Sequence, residues 1–309
     1  MSTLLITHSA CLDHLNPLGH PERPDRLRAI ERILEDERFG MLAREQAPAA
    51  TLDTLALCHS ASYVEQMRDA TPRAGLVRLD ADTSLSPGSF EAALRAAGGA
   101  AFAVDEIMAK RAANAFVATR PPGHHAETAL PFGFCLFNNA AIAARYAQAR
   151  HGVERSAIVD FDVHHGNGSQ EIFWADPSVL YCSTHQMPLF PGSGSMSERG
   201  AHGTIVNAPL RPGDGGPAFR GAFETAILPR LAAFRPDLIV ISAGFDAHMR
   251  DPLASLNLSE HDFGWATRKI MEIADASADG RVVSVLEGGY DLEGLARSVA
   301  AHVMALMRG

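Results

Sequence analysis

Two aspartates and two histidines crowd into the stretch Asp160-Phe-Asp-Val-His-His-Gly-Asn-Gly168, which directly follows the apolar run Ala157-Ile-Val159. In an extended strand side chains alternate between the two faces, so Asp160, Asp162 and His164 would share one face. An Asp and a His two residues apart on one face can bind the same cation, and Zn²⁺ accepts both while leaving one position for water. The stretch therefore predicts a metal site at the carboxyl end of a buried strand.

The same stretch has a second interpretation, which is a buried polar cluster without a metal. In that case Asp160 would accept bonds from backbone N–H groups, and the histidines would bond to the carboxylates. A short D-x-H pattern occurs by chance often enough to keep this alternative open. Burying so much charge without a metal or a complete set of hydrogen bonds is costly, however, and this cost favours the metal site.

Length and composition indicate one large domain. The chain has 309 residues, of which 47% are hydrophobic, and no change in composition divides it. Folds of the α/β class often exceed about 200 residues without splitting, so we expect a single domain over residues 1–309.

Charge and cysteine usage narrow the class of protein. The net charge is −9, so no basic surface is expected to neutralise phosphates, and direct nucleic-acid binding is not expected. The four cysteines form no C-x-x-C pair, which is typical of reduced thiols in a cytoplasm. We recognise no signal peptide and no apolar run of roughly 18 residues, so we expect a cytoplasmic protein without a membrane segment.

A repeated order of elements predicts the fold. A first buried strand is expected at Thr3–Thr7, and five further apolar runs each end in a polar cluster. These runs and clusters are 114–119 before Arg120-Pro-Pro-Gly-His-His125, 157–159 before the stretch quoted above, 179–183 before Thr184-His185, 238–241 before Ser242-Ala-Gly-Phe-Asp246, and 282–286 before Glu287-Gly-Gly-Tyr290.

Helical periodicity fills the gaps between these runs. The predicted helices are 26–34, 90–110, 138–150, 218–234, 260–276 and 292–307. Alternating strands and helices predict a mostly parallel β-sheet with helices on both faces, in which ligands bind beyond the carboxyl ends of the strands. The polar clusters should therefore meet in one crevice. The Gly98-Gly99 pair inside the second helix indicates close packing against a neighbour.

Asp246 is the best candidate for a third metal ligand. It follows a buried strand, and Gly244 would permit a close approach. Together with Asp162 and His164 it would offset the charge of a divalent cation, which acidifies a bound water and polarises a carbonyl beside it. The alternative role for Asp246 is an N-cap of the next helix.

His124 and His125 follow the turn Pro121-Pro-Gly123, which we expect to present both rings at the rim of a loop. Adjacent histidines suit proton transfer, one as general base toward the water and the other as a partner that helps to protonate the leaving amine. Asp160 and Asn167 are plausible orienting acceptors, since Asp favours imidazolium and Asn leaves its ring nearer neutral. Metal ligation by the two histidines is the alternative.

Tyr290 follows two glycines on a loop that could bring its phenol into the crevice. A phenol O–H near the metal would stabilise a tetrahedral oxyanion. A tyrosine in this context is more often a packed turn aromatic, and only the convergence with the other clusters favours the catalytic role.

These residues resemble the histone deacetylase superfamily, and the resemblance covers nearly the whole chain. Six motifs occur in the family's order: Arg120-Pro-Pro-Gly-His-His-Ala126, Gly133-Phe-Cys-Leu-Phe-Asn-Asn139, the stretch 160–168, Phe190-Pro-Gly-Ser-Gly194, Ser242-Ala-Gly-Phe-Asp-Ala-His248 and Glu287-Gly-Gly-Tyr-Asp291. Asn167 and the run Asp246-Ala-His-x-x-Asp-Pro-Leu253 are similar to the class II branch with its acetylpolyamine amidohydrolase relatives. The resemblance implies an arginase/deacetylase-like α/β fold.

The resemblance also implies roles for particular residues. Asp162, His164 and Asp246 would be ligands of Zn²⁺, with Fe²⁺ admitted by the same ligand set. His125 would be the general base, His124 its electrostatic partner and Tyr290 the oxyanion donor, which agrees with the roles argued from the residues themselves.

Further positions follow from the same resemblance. Phe134 and Phe190 would wall a narrow channel lined by Gly133, and Asp82 would bind the substrate backbone. A structural K⁺ would lie on Asp160, on the Asp162 and His164 backbone, and on Ser183 and Thr184. Cys135 is expected to serve packing rather than catalysis.

The residues next to the predicted metal ligands also indicate how many metal ions the site holds. Relatives with this fold that hydrolyse guanidino groups hold two manganese ions and use a further carboxylate two residues after the histidine. That position is Gly166 here, and His248 stands where a second carboxylate would help. A single-metal site is therefore expected.

The implied activity is zinc-dependent hydrolysis of an acetyl amide on a protein or peptide lysine. The alternative is an acetylpolyamine amidohydrolase. Leu253 stands at a position where an acidic residue would attract a polyamine, and an apolar residue there favours a lysine substrate. A related small-molecule amidohydrolase or acetoin-associated protein is a further option. A non-catalytic acyl-ligand binding module is the alternative from another class, and a homo-oligomer is possible.

Overall fold

The computed structural model describes residues 2–308, and its centre is one eight-stranded sheet in which every strand pair is parallel. The strands of this sheet are β1 (Thr3–Thr7), β2 (Ala43–Gln46), β5 (Asn114–Val117), β6 (Ser156–Asp160), β7 (Val179–Gln186), β8 (Ile205–Leu210), β9 (Leu238–Ala243) and β10 (Val282–Leu286). Their order across the sheet is β2-β1-β5-β10-β9-β6-β7-β8. A separate two-stranded ribbon pairs β3 (Val77–Arg78) with β4 (Ser84–Leu85).

Helices cover both faces of the sheet. They are α1 (Asp25–Ile33), α2 (Leu52–Leu55), α3 (Ala61–Ala70), α4 (Ser89–Met108), α5 (Asn139–His151), α6 (Asn167–Phe173), α7 (Gly216–Ala222), α8 (Leu228–Phe234), α9 (Glu260–Ser277) and α10 (Leu292–Arg308). Side chains of α1 and α7–α10 pack in one hydrophobic core, and those of α3–α6 pack in the other.

Alternation along the strands explains why both faces are covered. In β1, Leu4 and Ile6 belong to one core and Leu5 belongs to the other, and all three are buried. Strands that are apolar on both faces must be buried on both faces, as parallel sheets are. The predicted α/β class with a mostly parallel sheet and helices on both faces is confirmed.

Six of the eight strands were predicted, and the two missed ones, β2 and β8, are the sheet edges. One correction concerns the central stretch. Strand β6 ends at Asp160, residues 162–164 form a bend, and none of residues 161–166 belongs to an extended strand. Asp162 and His164 therefore meet through a bend of the backbone and not through strand alternation.

The predicted helices are confirmed with small shifts at their ends, and one is interrupted. The helix expected over 218–234 contains a π-helical turn, Phe223–Ile227, between α7 and α8. Pro229 follows this turn, and a proline inside a helix removes one N–H donor and crowds the preceding turn. Within residues 2–308, no helix is both long enough and apolar enough to cross a membrane.

Candidate active site

Four adjacent strands of the sheet end at the same place. β5, β10, β9 and β6 are neighbours, and the segments that follow them bring together the candidate residues around His124, Tyr290, Asp246 and Asp162. This edge is the carboxyl end of a parallel sheet, where ligands bind in such folds. The predicted crevice is therefore present.

Asp162, His164 and Asp246 form a compact buried group. The His164 Nδ1 atom lies 3.1 Å from Asp162 Oδ1 and 3.1 Å from Asp246 Oδ2. One donor atom from each of the three residues lies within 4.8 Å of the others, and this is the one such cluster among the residues that the structure describes. Two carboxylates and one imidazole at this spacing fit a single divalent cation.

Backbone groups hold the two carboxylates from outside. Asp162 accepts from the N–H of Gly288 at 2.8 Å, and Asp246 accepts from the N–H of Val163 at 2.9 Å. A Cβ atom on Gly244 or Gly288 would collide with these carboxylates, so both glycines are required by close approach. Asp246 does not cap a helix, because Ser259 is the N-cap of α9.

The charges of the group are strongly coupled. Burial opposes the imidazolium, but the hydrogen bonds to Asp162 and Asp246 raise the pKa of His164 to about 10. Burial and the neighbouring Asp162 carboxylate raise the pKa of Asp246. The two buried carboxylates therefore favour a positive charge between them, which supports a cation in this place.

His124 and His125 lie beside this group and contact different partners. The Nδ1 atom of His124 is 3.0 Å from Asp160 Oδ2, and the Nδ1 atom of His125 is 2.8 Å from Asn167 Oδ1. The ring centroids are 4.0 Å apart. Both side chains are buried, so the expectation that they lie at a loop rim is wrong, since the turn folds them under the walls of the crevice.

The two rings have opposite protonation preferences. Burial opposes charge on His124, but the Asp160 and Asp162 carboxylates raise its pKa to about 10. Burial and the positive charges of His124 and His164 hold the pKa of His125 well below its usual range. These shifts favour the imidazolium at His124 and the neutral imidazole at His125.

Tyr290 faces the crevice with its ring fixed on two sides. The Arg26 guanidinium lies 4.9 Å from the ring centroid, and the Phe134 ring lies 5.9 Å away at a steep angle. The backbone N–H of Tyr290 donates to Asp251 Oδ2 at 2.7 Å. This loop is therefore held in place rather than free to swing.

A narrow cavity of about 240 Å³ leads to these groups. All five predicted channel residues line it, namely Asp82, Gly133, Phe134, Phe190 and Leu253, together with Leu189, which was not predicted. Gly133 and Phe134 both have positive φ, and a Cβ on Gly133 would collide with the His125 ring. A bulky residue in this backbone region is strained, and the N–H of Phe134 is held by Thr83 Oγ at 3.0 Å.

Several supporting residues were not predicted. Glu287 is buried, and its Oε2 atom accepts from the N–H of Gly123 at 2.7 Å and of His124 at 3.1 Å. Glu22 is buried against Arg120 and Arg26. These contacts join segments that lie far apart in the sequence, so a local sequence pattern does not predict them.

The surroundings of Gly166 and His248 do not suit a second metal, whereas residues with side-chain oxygen atoms are neighbours at the position expected for K⁺. A Cβ on Gly166 would collide with Asp160 and the Tyr181 hydroxyl, so no carboxylate fits there. His248 lies near Glu260 instead of the metal group, with 3.4 Å between Nε2 and Oε2. Asp160 pairs with Ser183 across β6 and β7, and the adjacent Thr184 hydroxyl is buried without a hydrogen-bond partner in residues 2–308.

Cys135 is fully buried, and burial raises the pKa of its thiol well above the usual range. Its Sγ atom lies 3.3 Å from the Gly133 carbonyl oxygen. Burial and a raised pKa both disfavour the thiolate that a nucleophilic cysteine needs, so the packing role stays the prediction for Cys135.

Comparisons with known proteins agree with the fold and with the motifs. Residues 20–306 match the family described as Histone deacetylase domain. A probable deacetylase of Archaeoglobus fulgidus is 39% identical over 100% of this chain and 87% of its own, and a histone deacetylase-like amidohydrolase of Pseudomonas aeruginosa is 42% identical over 88% and 73%. The crystal structure of the HDA15 HD domain covers 99% of this chain and 88% of that chain, with a TM-score of 0.93 and 36% identity.

Proposed function

Because the chain belongs to the histone deacetylase family, we propose that it hydrolyses the acetyl amide of lysine side chains in peptides or proteins. The observation that carries this proposal is that one narrow cavity is lined by His125, Tyr290 and His164, and that His164 belongs to the metal-ligating group. A non-catalytic binding module would not require all of these groups together.

In this proposal Asp162, His164 and Asp246 hold one divalent cation, Zn²⁺ or alternatively Fe²⁺. When bound, the cation would acidify a water and polarise the acetyl carbonyl. The rest of the reaction is assigned to side chains of the protein.

His125 is the general base, because its ring is neutral and faces the cavity. It removes a proton from water as the water oxygen attacks the acetyl carbon. Tyr290 donates its phenol O–H to the carbonyl oxygen as negative charge develops there. His124 stays protonated on Asp160 and stabilises this charge. The C–N bond then breaks, the amine takes the proton that His125 had removed from water, and acetate and amine are released.

The channel suits a single unbranched aminoalkyl chain. Phe134 and Phe190 supply apolar walls, and Gly133 keeps the passage open. At about 240 Å³ the cavity is smaller than typical ligand pockets. Asp82 at the cavity would accept hydrogen bonds from the backbone of a peptide substrate.

A K⁺ ion behind the cation site is part of the proposal. It would lie on Asp160, the Asp162 and His164 backbone, Ser183 and Thr184. The buried Thr184 hydroxyl, which has no hydrogen-bond partner among the described residues 2–308, supports an oxygen ligand set in this place.

Hydrolysis of small acetylated amines is the second candidate. The Asp82 carboxylate lines the cavity, and the net charge is −9, which would attract a cationic chain. Leu253, which is apolar and also lines the cavity, favours the lysine substrate.

The test compares kcat/KM of the zinc-loaded protein on an acetyl-lysine peptide and on N-acetylputrescine, with Asp246→Ala as control. A peptide preference above about tenfold, which corresponds to 1.4 kcal/mol in transition-state binding, supports the lysine deacetylase. A preference of the same size for N-acetylputrescine would instead support the second candidate, hydrolysis of small acetylated amines. No turnover of either substrate with metal bound would contradict acetyl-amide hydrolysis.

A further inference from the structure

The side-chain amide of Asn167 lies between His125 and the carboxylate of Glu127, which is not among the residues predicted for the site. Asn167 Oδ1 is 2.8 Å from His125 Nδ1, and Asn167 Nδ2 donates to Glu127 Oε1 at 2.9 Å. A second, longer contact joins Nδ2 to the backbone carbonyl of His125 at 3.4 Å. Three residues therefore form a chain that ends on the general base of the proposed reaction.

This chain fixes where the proton of His125 lies. A carboxylate accepts hydrogen bonds and does not donate them, so the NH₂ group of Asn167 must face Glu127. The carbonyl oxygen of Asn167 then faces His125, and Nδ1 of His125 must carry the proton. The other ring nitrogen, Nε2, is left with a free lone pair.

The opposite orientation of Asn167 would disable the base. An asparagine amide has nearly the same shape after a flip, so its orientation is decided by hydrogen-bond partners alone. A flipped amide would point NH₂ at His125 Nδ1 and force the proton to Nε2. An imidazole protonated at Nε2 has no lone pair there to accept a proton from water.

We propose that Glu127 is a positioning residue that, through Asn167, holds His125 in the Nδ1–H form required of a general base. The inference rests on the proposed function for its kinetic consequence but not for the tautomer itself. A hydrogen bond to a charged acceptor is strong enough to bias the two amide orientations roughly ten- to hundredfold.

The surroundings of Glu127 make this role separable from substrate binding. Glu127 lines a cavity of about 620 Å³, next to Glu171 and Trp174. Phe132 lines this cavity and Phe190 lines the substrate channel, and the centroids of the two rings are 4.9 Å apart. Glu127 is therefore not among the residues that line the channel.

The test is a double-mutant cycle in the zinc-loaded protein with an acetyl-lysine peptide. Glu127→Met removes the charged acceptor and leaves Asn167 Nδ2 with the longer contact to the His125 carbonyl, and we expect kcat to fall about tenfold or more while KM stays nearly constant. Glu127→Gln still offers an acceptor oxygen and should stay within about threefold of the wild type. Glu171→Met is the matched control, because Glu171 lines the same cavity but bonds to Thr128 and not to Asn167. This control should leave kcat unchanged.

The cycle predicts a reversal of sign in a second background. In Asn167→Asp the new carboxylate accepts from His125 in either orientation and faces Glu127 as a like charge. Adding Glu127→Met should therefore raise kcat in the Asn167→Asp protein, whereas the same substitution lowers it in the wild type. An equal loss in both backgrounds would overturn the proposal, since it would indicate a merely structural role.

Nitrogen NMR of histidine-labelled, zinc-loaded protein gives a readout independent of turnover. The His125 signals, identified by their loss in His125→Gln, should show a protonated Nδ1 in the wild type and a mixture or a protonated Nε2 in Glu127→Met. An unchanged Nδ1–H form in Glu127→Met would overturn the role of Glu127. A protein that turns over no acetyl amide but shows the expected tautomer shift would contradict the proposed function alone.

Discussion

The adjacent rings of His124 and His125 have different pKa values because the oxygen atom that each ring contacts belongs to a different kind of side chain. His124 bonds to a carboxylate oxygen of Asp160, and His125 bonds to the amide oxygen of Asn167. The carboxylate favours the imidazolium and the amide does not, so burial dominates at His125 and lowers its pKa. Two adjacent positions in the chain thus have opposite preferences for the charged ring.

Tyr290→Phe tests the oxyanion donor at the level of one atom. The ring contacts with Arg26 and Phe134 would be kept by phenylalanine, and only the phenol O–H would be lost. We expect kcat to fall about 10²- to 10³-fold with little change in KM, as for removal of other oxyanion donors. Steady-state kinetics on an acetyl-lysine peptide measures both constants.

A thermal melt of the same variant is the control for folding. An unchanged kcat would exclude Tyr290 as a donor, and a fall in kcat accompanied by a large loss of Tm would assign the effect to packing instead.

The metal-ligating residues can be predicted from the sequence better than the residues that hold their surroundings in place. Asp162, His164 and Asp246 carry recognisable chemistry and stand just beyond predicted strands. Glu287 supports the loop of His124 across 164 residues of chain. Such a contact depends on the order of strands in the sheet, and the spacing of residue types contains no information about it.

At the scale of elements, the edges of the sheet are hardest to predict. Strand β2 has a polar sequence with exposed Arg44, Glu45 and Gln46, and β8 contains an asparagine and a proline. Edge strands need not be apolar on both faces, and proline is tolerated there because one side of the strand has no partner. The central strands β9 and β10 are fully buried and apolar except for one serine each, which is why both could be predicted closely.

Gly98→Ala tests the packing of α4, for which the sequence predicted a close neighbour. A Cβ on Gly98 would collide with backbone atoms of Pro48 and Ala50, which cannot move cheaply. Overpacking of this kind costs about 1–3 kcal/mol, which outweighs the helix-propensity gain of about 1 kcal/mol. We expect a lower free energy of unfolding in urea.

Gly221→Ala is the matched control, since a Cβ there meets no atom within 4 Å. It should leave stability unchanged or raise it. A stabilising effect at both glycines would contradict the packing argument.

His302 makes the packing of α10 against α9 and β10 dependent on pH. It is fully buried between Thr267 and Ser284, at 2.7 Å and 2.8 Å, and burial lowers its pKa to about 3. The unfolded chain binds this proton near pH 6.5, so the unfolded state holds more protons between pH 6.5 and 3. Stability from this group is complete above pH 6.5 and is lost as the pH falls.

His302→Gln removes the titration and isolates its effect. Between pH 7 and pH 5 the wild type should lose about 2 kcal/mol more than the variant in free energy of unfolding. Urea denaturation at the two pH values measures this difference. Parallel losses in both proteins would show that His302 titrates normally in the folded state.

At the scale of the whole molecule, the strand order creates the site. The chain visits β5, β6, β9 and β10 at widely separated points, yet these four strands lie side by side. The rule that ligands bind at the carboxyl ends of parallel strands predicts that their polar clusters meet, but it does not give the order of the strands. The sequence therefore predicted the crevice, and the structure supplied its geometry.

The central claim is that one metal at Asp162, His164 and Asp246 supports acetyl-amide hydrolysis. The most direct measurement is a titration of metal-free protein with Zn²⁺ while acetate release from an acetyl-lysine peptide is recorded. We predict that activity is absent without metal, rises in proportion to added Zn²⁺ and reaches its plateau at one equivalent per chain. Acetate release by the metal-free protein, a plateau at two equivalents, or no release at any Zn²⁺ concentration would contradict the claim.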